Sequence, residues 1–176
     1  TAERRRPPGR PVASASPVSI DDILLAALRA FAERGYDGMS VRELNAQLGV
    51  SHNLISERIG RKDDLWRAVV DRFVGEQSEP LAELARSAAG TVAQRLDALR
   101  ALWTQMIESN SRRPELLRMM MIEASIDGPR LDYLYEHFVR PASLAMGELY
   151  ASLVADGALR PLPASTLFFL LAHGAT

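Results

Sequence analysis

The sequence predicts an all-α protein. Apolar residues recur at three- and four-residue spacing from Ser19 onward, and no segment alternates with the period of two that a strand requires. The breaks in that pattern fall at Gly and Pro, at Gly35, Gly49, Pro114, Gly128-Pro129 and Pro141. With 176 residues and 47% apolar content, the chain has enough material for one ordinary domain, or a small module joined to a larger one.

Residues 1–18, "TAERRRPPGRPVASASPV", hold four prolines, four arginines and one acid, without an apolar period, and read as a disordered basic arm. Ile20, Ile23, Leu24, Ala27, Leu28 and Phe31 then form the stripe of an amphipathic helix, with Asp21 and Asp22 in the first turn, where the helix dipole favours acids. Gly35 is expected to end it, with "GYDG" as the connection. A short second helix follows over "SVRELNAQL" (40–48), with Ser40 as N-cap and Glu43 completing a capping box; Val41, Leu44 and Leu48 form its buried side. Gly49 stops it, Val50 turns inward, and Ser51 is expected to cap a third helix that buries Ile55 and Ile59. "GRKDD" interrupts the pattern. A long helix then starts near Asp63, with a kink or local break expected at Pro80. Further helices are expected over 91–110, 113–126, 130–139, 142–156 and from 164 onward.

Several function classes fall away on composition. There is no cysteine, so disulfides and thiolate metal sites are excluded. His52, His137 and His173 lie far apart with no metal-ligand spacing. No nucleophile–base pair or glycine-rich phosphate loop is present, and the helix dipole accounts for Asp63-Asp64, so neither an enzyme nor a cofactor is expected. "TLFFLLA" (166–172) is too short to span a bilayer, and "RRR" is followed by "PPGRPVASAS" where a signal peptide needs apolar residues. A cytoplasmic protein without a membrane partner is the expectation. Thr1 is not a methionine and "LLAHGAT" stops within a helical pattern, so terminal or internal residues are expected to be missing from the chain as written.

Net charge is −1, but its distribution is uneven. Residues 1–67 hold 11 Arg/Lys against 9 Asp/Glu, and residues 68–176 hold 10 against 13. That direction suits an N-terminal contact with a polyanion. Two short capped helices joined by Leu-Gly-Val-Ser behind a longer helix make a helix-turn-helix, whose second short helix presents its N-terminal residues to the major groove of DNA. An ordinary αα-turn in a helical bundle would leave similar polar residues exposed.

The residues "ILLAALRAFAERGYDGMSVRELNAQLGVSHNLISERIGRKDDLWRAVV" (23–70) resemble the N-terminal domain of the TetR family of transcriptional regulators. The resemblance rests on Ala27, Phe31, "ERGYDG", Ser40-Val41-Arg42-Glu43-Leu44, Leu48-Gly49-Val50-Ser51 and Lys62 with Asp63-Asp64-Leu65. It implies a homeodomain-like helix-turn-helix domain over 19–66 and a helical domain over 67–176 for ligand binding and dimerisation. Arg42, Ser51, His52, Asn53, Leu54, Ser56, Arg58 and Lys62 would then contact double-stranded DNA. Of these, His52 and Asn53 are the best candidates for base reading, since an amide pairs bidentately with adenine. Lys62 is the phosphate anchor at a helix start.

Three positions depart from the family pattern. Asn45 stands where a small alanine is usual, so a buried amide needs partners there. Ser56 replaces a phosphate-contacting aromatic, and Ile59 a phenylalanine; Arg58 is expected to compensate with a stronger cation.

The resemblance implies a homodimeric repressor released from a palindromic operator by a small hydrophobic effector. A helical sensor with a weakened DNA-binding module is the alternative. Trp103, Met106, Met120 and Phe138 are the expected effector contacts. At about 100° per residue, Met119, Met120 and Met121 cannot all face one pocket. The dimer interface is expected to use Leu167, Phe168, Leu170 and Leu171. Gly9-Arg10-Pro11 behind Arg4, Arg5 and Arg6 is similar to the minor-groove core of AT-hooks, although Pro8 stands where a full hook has arginine.

Overall fold

In the computed structural model, described for residues 18–163 apart from 88 and for residue 166, the chain is helical and the described residues contain no strand. The elements are α1 (Ile20–Gly38), α2 (Val41–Gln47), α3 (Leu54–Arg58), α4 (Lys62–Ser87), α5 (Val92–Arg112), α6 (Pro114–Ala124) and α7 (Pro129–Leu134). A π-helical segment (Tyr135–Val139) runs on into α8 (Arg140–Ala155). The basic arm and the expected dimer residues Leu167, Phe168, Leu170 and Leu171 lie outside the described residues.

Helix starts follow local chemistry. Ser19 and Asp22 form a complete capping box at α1, and Thr91 with Gln94 does the same at α5. At α2 only half of the expected box forms. Ser40 Oγ accepts the Glu43 N–H at 3.4 Å, but the Glu43 carboxylate takes Arg34 Nη1 of α1 at 2.9 Å. A charged partner outcompetes a neutral backbone amide. Gly35 does leave the helical conformation, at φ 68 and ψ 175, yet one more turn follows it, so "GYDG" is not a plain loop.

Two prolines lie within continuous helix. Pro80 lies within α4, which runs unbroken from Lys62 to Ser87. Pro80 is exposed there, and it leaves one backbone carbonyl of the preceding turn without its usual helical donor. Pro141 does not separate two helices. The backbone widens into the π segment just before it, where the Arg140 N–H reaches the Tyr135 carbonyl, and helix continues into α8. That wider turn accommodates a ring that would collide with the carbonyl four residues back.

One apolar cluster unites the first half of the chain with the second. Ile23, Leu28 and Phe31 of α1, Leu44 of α2, Ile55 of α3 and Leu65, Trp66, Val69, Val70 and Phe73 of α4 are buried together with Leu116, Met119 and Leu134 from α6 and α7. The cluster therefore draws on residues either side of 66. A second, smaller cluster of Ala85, Leu102, Ala145, Leu149 and Leu153 closes the far end of α4 against α5 and α8. Of the three consecutive methionines, Met119 is buried, Met120 half-buried and Met121 exposed, as helical geometry demands.

The entry to α4 depends on Gly60, whose φ is 124°. The Asp64 carboxylate folds back to accept the Arg61 N–H at 2.8 Å, and a Cβ at residue 60 would run into that carboxylate. Gly60→Ala is expected to destabilise the fold by about 1–3 kcal/mol from backbone strain, besides losing the cap. Denaturant unfolding of the two proteins checks this; equal midpoints would refute it.

Candidate nucleic-acid interface

Gly49 makes the sharp turn between α2 and α3. At φ 67° it lets the Gly49 N–H reach the Ala46 carbonyl and the Val50 N–H reach the Asn45 carbonyl, both at 3.1 Å, which closes α2 with a Schellman motif. The chain then reverses and exposes Ser51, His52 and Asn53 in a row, with Arg42 exposed on α2 and Ser56 and Arg58 exposed on α3. Leu54 is half-buried against the core. Exposure of Arg42, Ser51, His52 and Asn53 leaves their polar groups available to a partner rather than to the core.

Ser51 does not cap α3 with its side chain. Asn53 occupies the N-cap position and makes no side-chain cap bond. The start of α3 is held instead by Asn45, which is fully buried. Its Nδ2 donates to the His52 carbonyl at 2.8 Å, and its Oδ1 accepts the Ile55 N–H at 3.3 Å. The amide required by the sequence departure thus has partners on both ends, and the two contacts fix its orientation, since one partner only accepts and the other only donates.

Lys62 begins α4, with its Nζ 4.5 Å above the Tyr36 ring and 3.4 Å from the Asp37 carbonyl. Arg130, at the start of α7, lies over the same ring at 3.8 Å, and its Nε donates to the buried Glu123 carboxylate of α6 at 2.8 Å. Tyr36 stacks on Phe31 and donates its hydroxyl to Asp63. The ring of Tyr36 therefore connects the basic start of α4 with an ion pair on α6 and α7. Sequence reasoning matched Tyr36 only as part of "ERGYDG" and missed Arg130 and Glu123, because nothing local ties residue 130 to residue 36.

Arg58, expected to reach phosphate, donates one guanidinium N–H to the Val18 carbonyl at 2.6 Å. It thereby holds the point where the described chain begins beside the end of α3. Ser56 is exposed where the family pattern has an aromatic, and Ile59 is half-buried against the core.

The expected effector residues are spread out. Met120 and Phe138 pack half-buried on the first core, and Phe138 approaches α4 at Gly75, where a Cβ would lie 3.5 Å from its ring. Trp103 and Met106 are half-buried on α5. A cleft of about 460 Å³ opens near the far end of α4, lined by Arg95, Glu148, Ser152 and Asp156 among others, and none of the four expected residues forms its wall. Arg95 and Asp156 pair there, and the buried Arg95 Nε has no partner in the structure. His137 is exposed, stacks on Tyr133 at 4.2 Å and shares a 3.0 Å hydrogen bond with the Tyr133 carbonyl.

A Schellman-closed α2, a reversed turn and a short α3 whose Ile55 is buried in the shared core make a helix-turn-helix. Comparison with known proteins finds the same unit elsewhere. Residues 23–69 match the model of the bacterial regulatory proteins of the tetR family. The chain is 33% identical over 86 residues to the HTH-type transcriptional repressor BdcR of Escherichia coli, a match covering 49% of this chain and 42% of that protein. It is 39% identical over 73 residues to the HTH-type transcriptional repressor Rv3405c of Mycobacterium tuberculosis, covering 42% and 36%. The alignable part thus spans less than half the length of these curated relatives.

The fold agrees beyond that segment. A proposed fatty acid metabolism regulator of Clostridium perfringens superposes with a TM-score of 0.72 at 18% identity, over 87% of this chain and 83% of that one. The likeness to the tetR family model is confined to residues 23–69, and for the helices beyond them the likeness is one of fold.

Burial, followed by the hydrogen bond to Asp63, raises the Tyr36 hydroxyl to about 12. Burial and the bond to Asp71 (2.6 Å) raise Tyr133 to the same value. The folded protein keeps both protons where unfolded phenols, near pH 10, have lost theirs. Their contribution to stability is therefore intact below pH 10 and is lost as pH rises towards 12. Phenolate absorbance of the folded protein should resolve two of the four tyrosines with midpoints near 12, and Tyr36→Phe should remove one of them. Four midpoints near 10 would refute the assignment.

Proposed function

We propose that this chain is a cytoplasmic, homodimeric DNA-binding regulator, a repressor released from a palindromic operator by a small hydrophobic effector. The observation that carries the reading is the exposed row Ser51, His52 and Asn53, backed by a buried amide that holds its backbone. Arg42 on one side and Arg58 and Lys62 on the other supply cations for phosphate, while His52 and Asn53 supply hydrogen bonds for base edges. Leu54 and Ser56 complete the contact surface. The repressor assignment draws support from the names of BdcR and Rv3405c.

Arg4, Arg5, Arg6 and Arg10 precede Val18, which Arg58 holds next to α3, and they would add minor-groove and phosphate contacts. Two-fold pairing through Leu167, Phe168, Leu170 and Leu171 would set two such surfaces on successive major grooves. The second reading, a sensor with a weakened DNA-binding module, draws on Ser56 and on the engagement of Arg58 with Val18.

Release follows from α4, which carries Lys62 at one end and apolar contacts to the later helices along its length. An effector among Trp103, Met106, Met120 and Phe138 would tilt α4 or shift α6 and α7, and the Glu123–Arg130–Tyr36 contacts would pass that shift to Lys62. Coupling of about 1–3 kcal/mol corresponds to roughly 5–150-fold weaker DNA binding, with the same factor on effector affinity. Effector affinity measured with and without operator tests this; equal values would rule out control of DNA by the effector.

Asn53→Ala is expected to cost roughly 1–3 kcal/mol at one operator position and relax the preference there. Lys62→Ala should weaken all sequences about equally and lower the salt slope. Gel shifts against a panel of operator variants separate these outcomes. An unchanged preference in Asn53→Ala would remove it as a base reader, and no shift by the unsubstituted protein would favour the sensor.

A further inference from the structure

Asn45 is one of two buried polar or charged side chains among the described residues, and it is the one within the helix-turn-helix. It makes three contacts that span the turn. Its own carbonyl accepts the Val50 N–H at 3.1 Å, its Nδ2 donates to the His52 carbonyl, and its Oδ1 accepts the Ile55 N–H. Without a side-chain cap of its own, α3 depends on this neighbour for one of its leading N–H groups. The exposed residues Ser51, His52 and Asn53 all lie between the points at which Asn45 grips the backbone.

We propose that Asn45 is a positioning residue for sequence readout: it fixes where His52 and Asn53 project, and so sets base preference without touching DNA. The proposal rests on the DNA-binding reading above. An apolar residue at 45 would still fill space against Leu44 and Ile55, but the turn would then be restrained only by backbone bonds and packing. A base-reading side chain must be held to within a fraction of an ångström of its partner, so a loosened turn loses discrimination before it loses phosphate affinity. The two ends of the amide act separately. Asn45→Asp keeps an acceptor for the Ile55 N–H, yet sets a negative oxygen against the His52 carbonyl.

The test uses the full chain and the Asn45→Ala and Asn45→Asp variants, each with two readouts. Amide hydrogen exchange at Ile55 reports the clamp in the absence of DNA. Competition between the preferred site, recovered from a random DNA pool, and its single-base variants reports readout, with affinity for unrelated DNA as the reference. Asn45→Ala should speed Ile55 exchange and reduce discrimination on the order of tenfold at the bases facing His52 and Asn53, leaving affinity for unrelated DNA nearly unchanged. Asn45→Asp should retain Ile55 protection and lose discrimination mainly at the His52 position. Two results overturn the proposal: undisturbed discrimination in both variants, or a uniform loss across all DNA that tracks a fall in thermal stability. If the unsubstituted chain selects no sequence, the functional reading fails instead, and Ile55 exchange alone decides whether the clamp exists.

Discussion

The apolar stripe of α4 is the constraint on which the rest of the structure depends. Leu65, Trp66, Val69, Val70 and Phe73 share one buried cluster with apolar residues of α1, α2, α3, α6 and α7, and α4 also packs along α1, α5 and α8. A helix of 26 residues extends about 39 Å, so one rigid element reaches from the basic end at Lys62 to the second cluster near Ala85. The short helices α2 and α3 are far below the length at which an isolated helix is stable in water. They persist because Leu44 and Ile55 are inserted into a core that α1 and α4 have already defined.

Polar order is layered on that core by a few buried groups. Asn45 ties the turn, and the Glu123–Arg130 pair ties α6 to α7 beside Tyr36. Each is costly to bury alone and stabilising only when its partner is in place. That requirement makes both geometrically exacting, which is what the proposed base-reading surface and the proposed coupling would need. The Lys62 ammonium, between the Asp37 carbonyl and the Tyr36 ring, is held near the start of α4 instead of ranging freely.

Local periodicity made the core legible in the sequence. The stripe through Ile23, Leu24, Ala27, Leu28 and Phe31 is buried as read, and Leu44 and Ile55 with it, because a helix repeats every 3.6 residues whatever surrounds it, while Ile20 in the first turn is exposed. What stayed hidden depends on atoms distant in sequence or on backbone adjustment. The need for partners at Asn45 was visible, but their identity awaited the turn that brings His52 and Ile55 to it. Glu43 fitted a capping box and was drawn to Arg34 across the α1–α2 junction. Pro141 looked like a break, and a π turn absorbed it. Arg130 and Tyr36 meet only because α6 and α7 dock beside α1 and α4.

As proposed, the Arg42-to-Lys62 surface reads DNA as one half of a two-fold pair. Selection of bound DNA from a random pool by the full chain at fixed salt is its most direct test. The expected result is a palindrome whose half-site centres lie about 34 Å apart or a multiple of that. Bound DNA that matches the starting pool in composition and symmetry would contradict it.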